Sequence, residues 1–385
     1  MKDQVARIDR ALDWSWLPNI AQYALEQALA VQQIPAPTFS EQARAAYILD
    51  LFTEHGLAAC ETDAVHNVYG LLPGTNPALP GLMITAHTDT VFPADADLKT
   101  RHEGSLIYGP GLGDNSIGVG GMLGLLAALR QHDLYLPRDV WFVATTGEEG
   151  LGDLGGIKAA FSRLKDRIAY VVNLEGLAFG HIYHAGIAVR RLRITARAEG
   201  GHSWLHFGRA SAVHGILRLG ALITDIEPPQ TPRTTFNIGK IEGGQGINVI
   251  GRDAGLWLDL RSEEPAALSA LEHQVQALVR RLETPDLQFT VEVVGDRPAG
   301  RIPPDHPLVQ CALAVLDRQG IQGTLEVGST DANVPLAAGV PAVTIGITRG
   351  GNAHRADEYV EVAPVENGVR QLILLVLAAG GYTAE

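Results

Sequence analysis

The chain has 385 residues, 46% hydrophobic and 19% charged, a length and balance that predict an ordered globular protein of about two domains. Its formal net charge of -13 argues against nucleic acid or an anionic membrane as partner, since both reward clustered Lys and Arg. Only Cys60 and Cys311 occur, outside any CxxC pattern, so neither a disulfide framework nor a cysteine zinc site is indicated and both read as buried small hydrophobes. The opening, "MKDQVARIDRALDWSW", lacks the apolar core of a signal peptide. No run approaches the roughly eighteen uncharged apolar residues of a membrane span, so a cytoplasmic protein is expected.

After a helical opening, strand-like runs "GLMITAH" (81–87), "DVWFVATTG" (139–147) and "AYVVNLEG" (169–176) alternate with helical segments such as "GVGGMLGLLAALRQH" (118–132). Strands apolar on both faces, alternating with helices, predict an α/β sheet covered on each side. Functional side chains then belong at the carboxyl ends of the strands. From about residue 187 the texture changes: "VRRLRITARAEG" alternates polar with apolar, as in a one-sided antiparallel sheet. A helix over 211–224 follows, then strands "TTFNIGKIEG" and "AGLWLDLRS", an amphipathic helix over 265–282 and "LQFTVEVVG". This βαββαβ order predicts a small four-stranded α+β unit inserted into the larger domain. "PAVTIGITRGG" (341–351) returns to the first texture. The expected boundaries are 1–186 with 298–385 for the larger, discontinuous domain and 187–297 for the insertion.

Short motifs with His or acid stand at the ends of the apolar runs. In "TAHTDTVFP", His87 ends a strand and Asp89 lies two residues on; in extended chain both point to one side, so Asp89 can accept a hydrogen bond from the ring and fix its tautomer for a metal. In "GPGLGDNSIGVGG", Asp114 sits in a glycine-rich turn before a helix. A pyrophosphate-binding reading of that turn fails on the GxGxxG spacing and on the lack of a strand leading into it. "TTGEEGLG" places Glu148 beside Glu149, "VVNLEG" ends in Glu175, and "GGNAHRADEYV" holds His354 with Glu358 four residues later.

Two imidazoles and several carboxylates form the ligand set for two borderline divalent ions, with zinc expected and cobalt or manganese able to take its place. Two adjacent glutamates on an irregular turn can diverge, one to a metal and one to the water. Glu149 is therefore read as the ligand and Glu148 as the base that takes the water's proton and returns it to the leaving amine. Glu358 is read as packing or hydrogen-bond support for His354. Neither GxSxG nor HExxH occurs, which sets aside serine-hydrolase and zincin chemistry.

This ordered set, His-x-Asp, a Gly-rich Asp, Glu-Glu, a single acid and a late His, resembles the M20 metallopeptidases, a family that includes carboxypeptidase G2, peptidase T, acetylornithine deacetylase and aminoacylase relatives. The resemblance implies a phosphorylase/hydrolase-like three-layer α/β catalytic domain with an inserted ferredoxin-like α+β lid that dimerises. It implies that Asp114 bridges two metal ions, with His87 and Glu175 completing one site, Glu149 and His354 the other, and Asp89 orienting His87. "EGGHSW" resembles the family's lid motif, with His202 as donor to the oxyanion of the tetrahedral intermediate. "NVIGRDAGLWLDLR" resembles the segment whose Asn and Arg, here Asn248 and Arg261, hold the substrate, Arg261 by a bidentate grip on a carboxylate. The family often has Pro where this chain has Gly251, and Arg261 has Asp259 and Glu263 nearby as alternative partners. "GSTDANVP" resembles a substrate-facing loop at Ser329 and Thr330. The expected activity is amide hydrolysis of a short peptide from one end, in a homodimer, with an N-acyl amino acid as the alternative substrate. A catalytically inactive binding protein of the same fold is the alternative from a different class; it would be expected to lose the base or a ligand, and this chain keeps every position.

Overall fold

The computed structural model describes residues 1–383. The chain divides into two compact units, one made of Met1–Gly186 and the chain from Gly300 onward, the other of Ile187–Ala299. Each has its own hydrophobic core.

The first unit opens with helices α1 (Lys2–Ala11), α2 (Leu17–Gln32) and α3 (Gln42–Glu54). Strands β1 (Ala58–Thr62), β2 (Val68–Leu72) and β3 (Gly81–His87) follow, then the short β4 (Arg101–Glu103) and β5 (Leu106–Tyr108). Next come α4 (Ile117–Gln131), β6 (Val140–Thr145), α5 (Gly155–Leu164), β7 (Ile168–Leu174) and β8 (His181–Gly186).

The second unit holds β9 (Ala188–Ala198), β10 (Gly201–His202), α6 (Ala212–Thr224), β11 (Thr234–Gly243), β12 (Val249–Ile250), β13 (Asp253–Ser262), α7 (Pro265–Leu282) and β14 (Leu287–Arg297). The first unit then resumes with β15 (Gly300–Arg301), α8 (Pro307–Arg318), β16 (Thr324–Gly328), α9 (Asn333–Ala337), β17 (Ala342–Ile345), β18 (Gly350–Gly351), β19 (Tyr359–Glu361) and α10 (Val365–Gly380).

The large sheet of the first unit has the order β1-β2-β6-β3-β7-β17-β8-β15, with β16 also paired to β8. Its centre, β6-β3-β7-β17, is parallel. Every residue of β3 and β6 is buried, which requires cover on both faces and explains the unbroken apolar runs of the sequence. Helix α4 is buried from Ile117 to Leu129 and meets α2 closely: a Cβ on Gly120 would stand 2.3 Å from the carbonyl oxygen of Ala24. Helix α4 with the turn before it is apolar and long enough to cross a membrane, yet it is enclosed in the core of this unit. In α10 the six residues Leu372 to Leu377 are all fully buried, each worth roughly 1.5–3 kcal/mol of transfer free energy. Cys311 is buried, whereas Cys60 is only half-buried.

In the second unit the antiparallel sheet runs β11-β13-β9-β14, the strand order of a ferredoxin-like α+β fold. Period-two alternation sorts its side chains: Leu192, Ile194 and Ala196 of β9 join the core with α6 and α7, while Arg191, Arg193 and Arg197 lie on the other face. The molecule is thus an α/β protein with a separate α+β unit.

Candidate metal centre

The parallel strands deliver their ends to one place. His87 is the last residue of β3 and pairs in register with Thr145, the last of β6. Glu148 and Glu149 follow β6 by a few residues, and Glu175 follows β7 directly. Asp114 lies on the loop before α4, where Gly111 takes φ +68°, a left-handed conformation that glycine adopts without strain. His354 comes from the turn between β18 and β19 and itself has φ 67°, a sparsely populated region for a non-glycine residue that is characteristic of functional sites.

The Asp114 carboxylate faces both imidazoles. Oδ1 is 3.0 Å from Nε2 of His87, and Oδ2 is 3.0 Å from Nε2 of His354. Glu175 Oε2 is 3.5 Å from the first ring, and Glu149 Oε1 is 3.1 Å from the second. Two triads result, His87–Asp114–Glu175 and Asp114–Glu149–His354, with all candidate ligand atoms of each within 4.8 Å of one another. Among the described residues no other such groups occur, and Glu148 belongs to neither. A donor set of one imidazole and two carboxylates, twice, sharing one carboxylate, fits two adjacent divalent cations.

The electrostatics of the metal-free cluster fit the same conclusion. Burial alone would lower the His87 imidazole, but Glu175, Asp114 and Asp89 outweigh it and hold its pKa well above the ordinary value. Asp114 and Glu149 push His354 up to about 10. Burial raises Asp114, yet the two imidazoles bring it well below the usual carboxylate range. Glu175 is raised, chiefly by burial, with Asp114 and Glu149 adding to the shift against the pull of His87. Protons on two rings supply the positive charge that this many buried acids require.

The Asp89 carboxylate lies 3.6 Å from His87 Nδ1, where it helps hold the ring charged, and it has a second task. The shorter contact of His87 Nδ1 is with the backbone carbonyl of Asp89, at 3.1 Å. The same carboxylate also accepts the N–H of Glu148 at 3.0 Å and of Glu149 at 2.9 Å, and the Thr38 hydroxyl at 2.9 Å. It therefore seats the Glu-Glu turn.

Glu358 departs from expectation: its carboxylate accepts backbone N–H groups of the Asp114 loop rather than supporting the His354 ring. Other buried residues, absent from the sequence reading, hold the same loops. Arg44 donates to the carbonyls of Ile34 and Thr88, both at 2.7 Å, and Glu41 accepts the N–H of Gly147 at 3.2 Å. Asn115 receives the N–H of Gly176 and donates to the carbonyl of Leu174, both at 2.8 Å, tying the Asp114 loop to the end of β7. For Arg44 a signal existed, since it shares a helical stripe with Ile48 and Phe52, where a charge is out of place.

Thr330 reaches the Thr344 hydroxyl at 3.1 Å, and Thr344 accepts from Asn173, whose amide also faces Glu175 at 3.4 Å, so this loop joins the network behind the first triad. Ser329 precedes it on the same loop. His202, Asn248 and Arg261 lie in the second unit. His202 pairs with Val249 on the β10–β12 ribbon, and just beyond it Ser203 N–H donates to the Asn248 carbonyl at 3.0 Å. His202 Nδ1 accepts the N–H of Trp204 at 3.1 Å, which leaves the ring proton on Nε2. His206 Nδ1 accepts the His202 N–H at 3.0 Å. Arg261 Nε donates to Asp259 at 2.6 Å, the pairing that its neighbours allowed.

The sequence profile of peptidase family M20/M25/M40 matches residues 83–378. A succinyl-diaminopimelate desuccinylase of Corynebacterium glutamicum is 28% identical over 346 residues, 86% of this chain and 90% of that protein. An acetylornithine deacetylase of Klebsiella pneumoniae is 26% identical over 337 residues, 79% of this chain and 82% of that protein. The crystal structure of a tripeptidase from Staphylococcus aureus superposes with a TM-score of 0.77 at 22% identity, covering 94% of this chain and 99% of that one.

Proposed function

This chain belongs to peptidase family M20/M25/M40 and is a metal-dependent hydrolase of the peptidase and amidohydrolase type, and from that premise we propose that it cleaves one amide bond at the end of a short peptide. The observation that carries the reading is the Asp114 carboxylate, with one oxygen 3.0 Å from each imidazole. His87, Asp114 and Glu175 are assigned to one ion, and Asp114, Glu149 and His354 to the other, both zinc by the chemistry of the donors, with cobalt or manganese as substitutes. Two divalent ions held by these residues would supply Lewis acidity to the scissile carbonyl and to the attacking water.

The chain's own groups do the rest. Glu148, outside both triads and fixed through its N–H to Asp89, takes the water's proton and delivers it to the leaving amine. His202, its ring proton on Nε2, is assigned as donor to the oxyanion, from its own chain or from a partner subunit. Asn248, Arg261, Ser329 and Thr330 are assigned to the substrate, Arg261 to a carboxylate after exchange from Asp259. A cytoplasmic homodimer assembled through the second unit belongs to the same reading; β11 and β14 are edge strands of its four-stranded sheet.

An N-acyl amino acid is the second reading, favoured by the names of the two relatives at 28% and 26% identity. Amine release from metal-loaded protein, screened over dipeptides, tripeptides and acyl amino acids, separates the two. Glu148→Ala is expected to keep its zinc while turnover falls about 10²–10⁴-fold; full activity refutes the assignment of the base.

A further inference from the structure

Glu358 is fully buried on the turn leading into β19, four residues beyond His354. Its Oε1 accepts the N–H of Gly113 at 2.6 Å and of Asp114 at 2.9 Å, and its Oε2 the N–H of Gly111 at 3.3 Å. Its own carbonyl accepts the N–H of Gly109 at 2.9 Å. Four backbone donors of one loop thus converge on one residue from the far end of the chain. Backbone N–H groups that turn inward together form a concavity suited to acceptor oxygens, and here the chain fills it with its own carboxyl group, whose pKa burial raises to about 7 against the pull of those N–H groups.

The consequence falls on Asp114, whose two oxygens face different imidazoles, so that a small rotation of its backbone changes both distances at once. The segment 354–358 grips this residue twice, with the His354 ring on its carboxylate and the Glu358 carboxylate on its peptide N–H. We propose that Glu358 is a positioning residue that presets the Asp114 carboxylate between the two cation positions, so that the pair of ions binds more tightly than its direct ligands alone would allow. This rests on the metal reading of the site. A residue that merely stabilised the turn would lower the melting temperature and leave the affinity of the folded protein for metal unchanged.

Full-length Glu358→Gln keeps the volume but replaces one acceptor oxygen with a donor that faces N–H groups. Zinc affinity, measured by calorimetry with competition from a chromophoric chelator, is expected to fall about 10–100-fold, the usual effect of removing a partner that orients a metal ligand. The visible spectrum of the cobalt-loaded protein is expected to change as well. Glu358→Asp, with both acceptor oxygens retained on a shorter stem, is expected to lose less. A folded Gln variant with wild-type zinc affinity and cobalt spectrum overturns the proposal, whatever its melting temperature. Should the Gln variant not fold, wild-type affinity in Glu358→Asp overturns it. Wild-type protein that binds no zinc overturns the metal reading, and this inference with it.

Discussion

Replacing Asp89 by Asn tests whether this carboxylate serves the His87 ring or the Glu-Glu turn. The substitution preserves size and leaves the backbone carbonyl that meets His87 Nδ1 at 3.1 Å, so the ring keeps its orientation. It removes one of the two oxygens that hold the N–H groups of Glu148 and Glu149 at 3.0 and 2.9 Å. Whichever way the new amide turns, its NH2 faces a backbone N–H, and one buried donor loses its acceptor at a cost of about 1–3 kcal/mol. The turn can relieve that conflict only by moving. A displacement of Glu148 by about 1 Å is enough to reduce turnover on the order of 100-fold. Steady-state kinetics at saturating zinc isolates this effect from metal loss: kcat is expected to fall about 100-fold and to stay low however much zinc is added. Recovery of wild-type turnover on zinc saturation would show that Asp89 acts through the ligand ring, and the argument from the turn would be wrong.

Zinc binding to the metal-free protein at pH 7.5 is expected to release about two protons, because His87 is held well above its ordinary pKa and His354 at about 10, while a ligating imidazole must be neutral. Calorimetric titrations in buffers of different ionisation enthalpy measure the release, and its absence would refute the charged-ring description. Asp331 is fully buried, accepts the Thr145 hydroxyl at 2.5 Å, and is pushed by burial from 3.8 up to about 7. The folded chain then keeps a proton that the unfolded chain gives up near pH 4, so the contribution of this group to stability falls as pH rises from about 4 to 7. In the metal-free protein Asp331→Asn should therefore gain on wild type across that window, by up to roughly 4 kcal/mol for three pKa units. Urea unfolding at both ends of the range checks it; a constant difference between the two proteins contradicts the buried acid.

The parts of the molecule that could be read from the sequence are those governed by local periodicity. Apolar runs at 81–87 and 139–147 mark strands covered on both faces, and the alternation in "RRLRITA" marks a one-sided sheet, because the side-chain period is set by the strand itself. The candidate ligands were visible for a related reason: polar residues at the ends of apolar runs have few structural uses. Contacts made across long stretches of sequence could not be read. Glu358 stands four residues beyond His354, a helical spacing, but it follows a residue where regular structure stops, and the bonds of Asp89 to the N–H groups of Glu148 and Glu149 cross some 60 residues. His354, with φ 67°, turns the chain so that Glu358 reaches residues 111–114 instead of the ring. Arg44 and Glu41 act on loops some 40 and 100 residues downstream, and nothing in their own neighbourhood specifies those partners.

The chain leaves the large sheet at Gly186 and re-enters it at Gly300, and these two residues face each other in the β8–β15 pair. The excursion between them therefore starts and finishes at neighbouring points of an unbroken ladder, like a bracket closed before the sentence resumes. Closing a long loop whose ends already meet adds little entropy cost, since that cost grows only with the logarithm of length. The length of the 187–299 segment can therefore vary without breaking this ladder, whereas its sequence stays tied to the roles assigned to His202, Asn248 and Arg261.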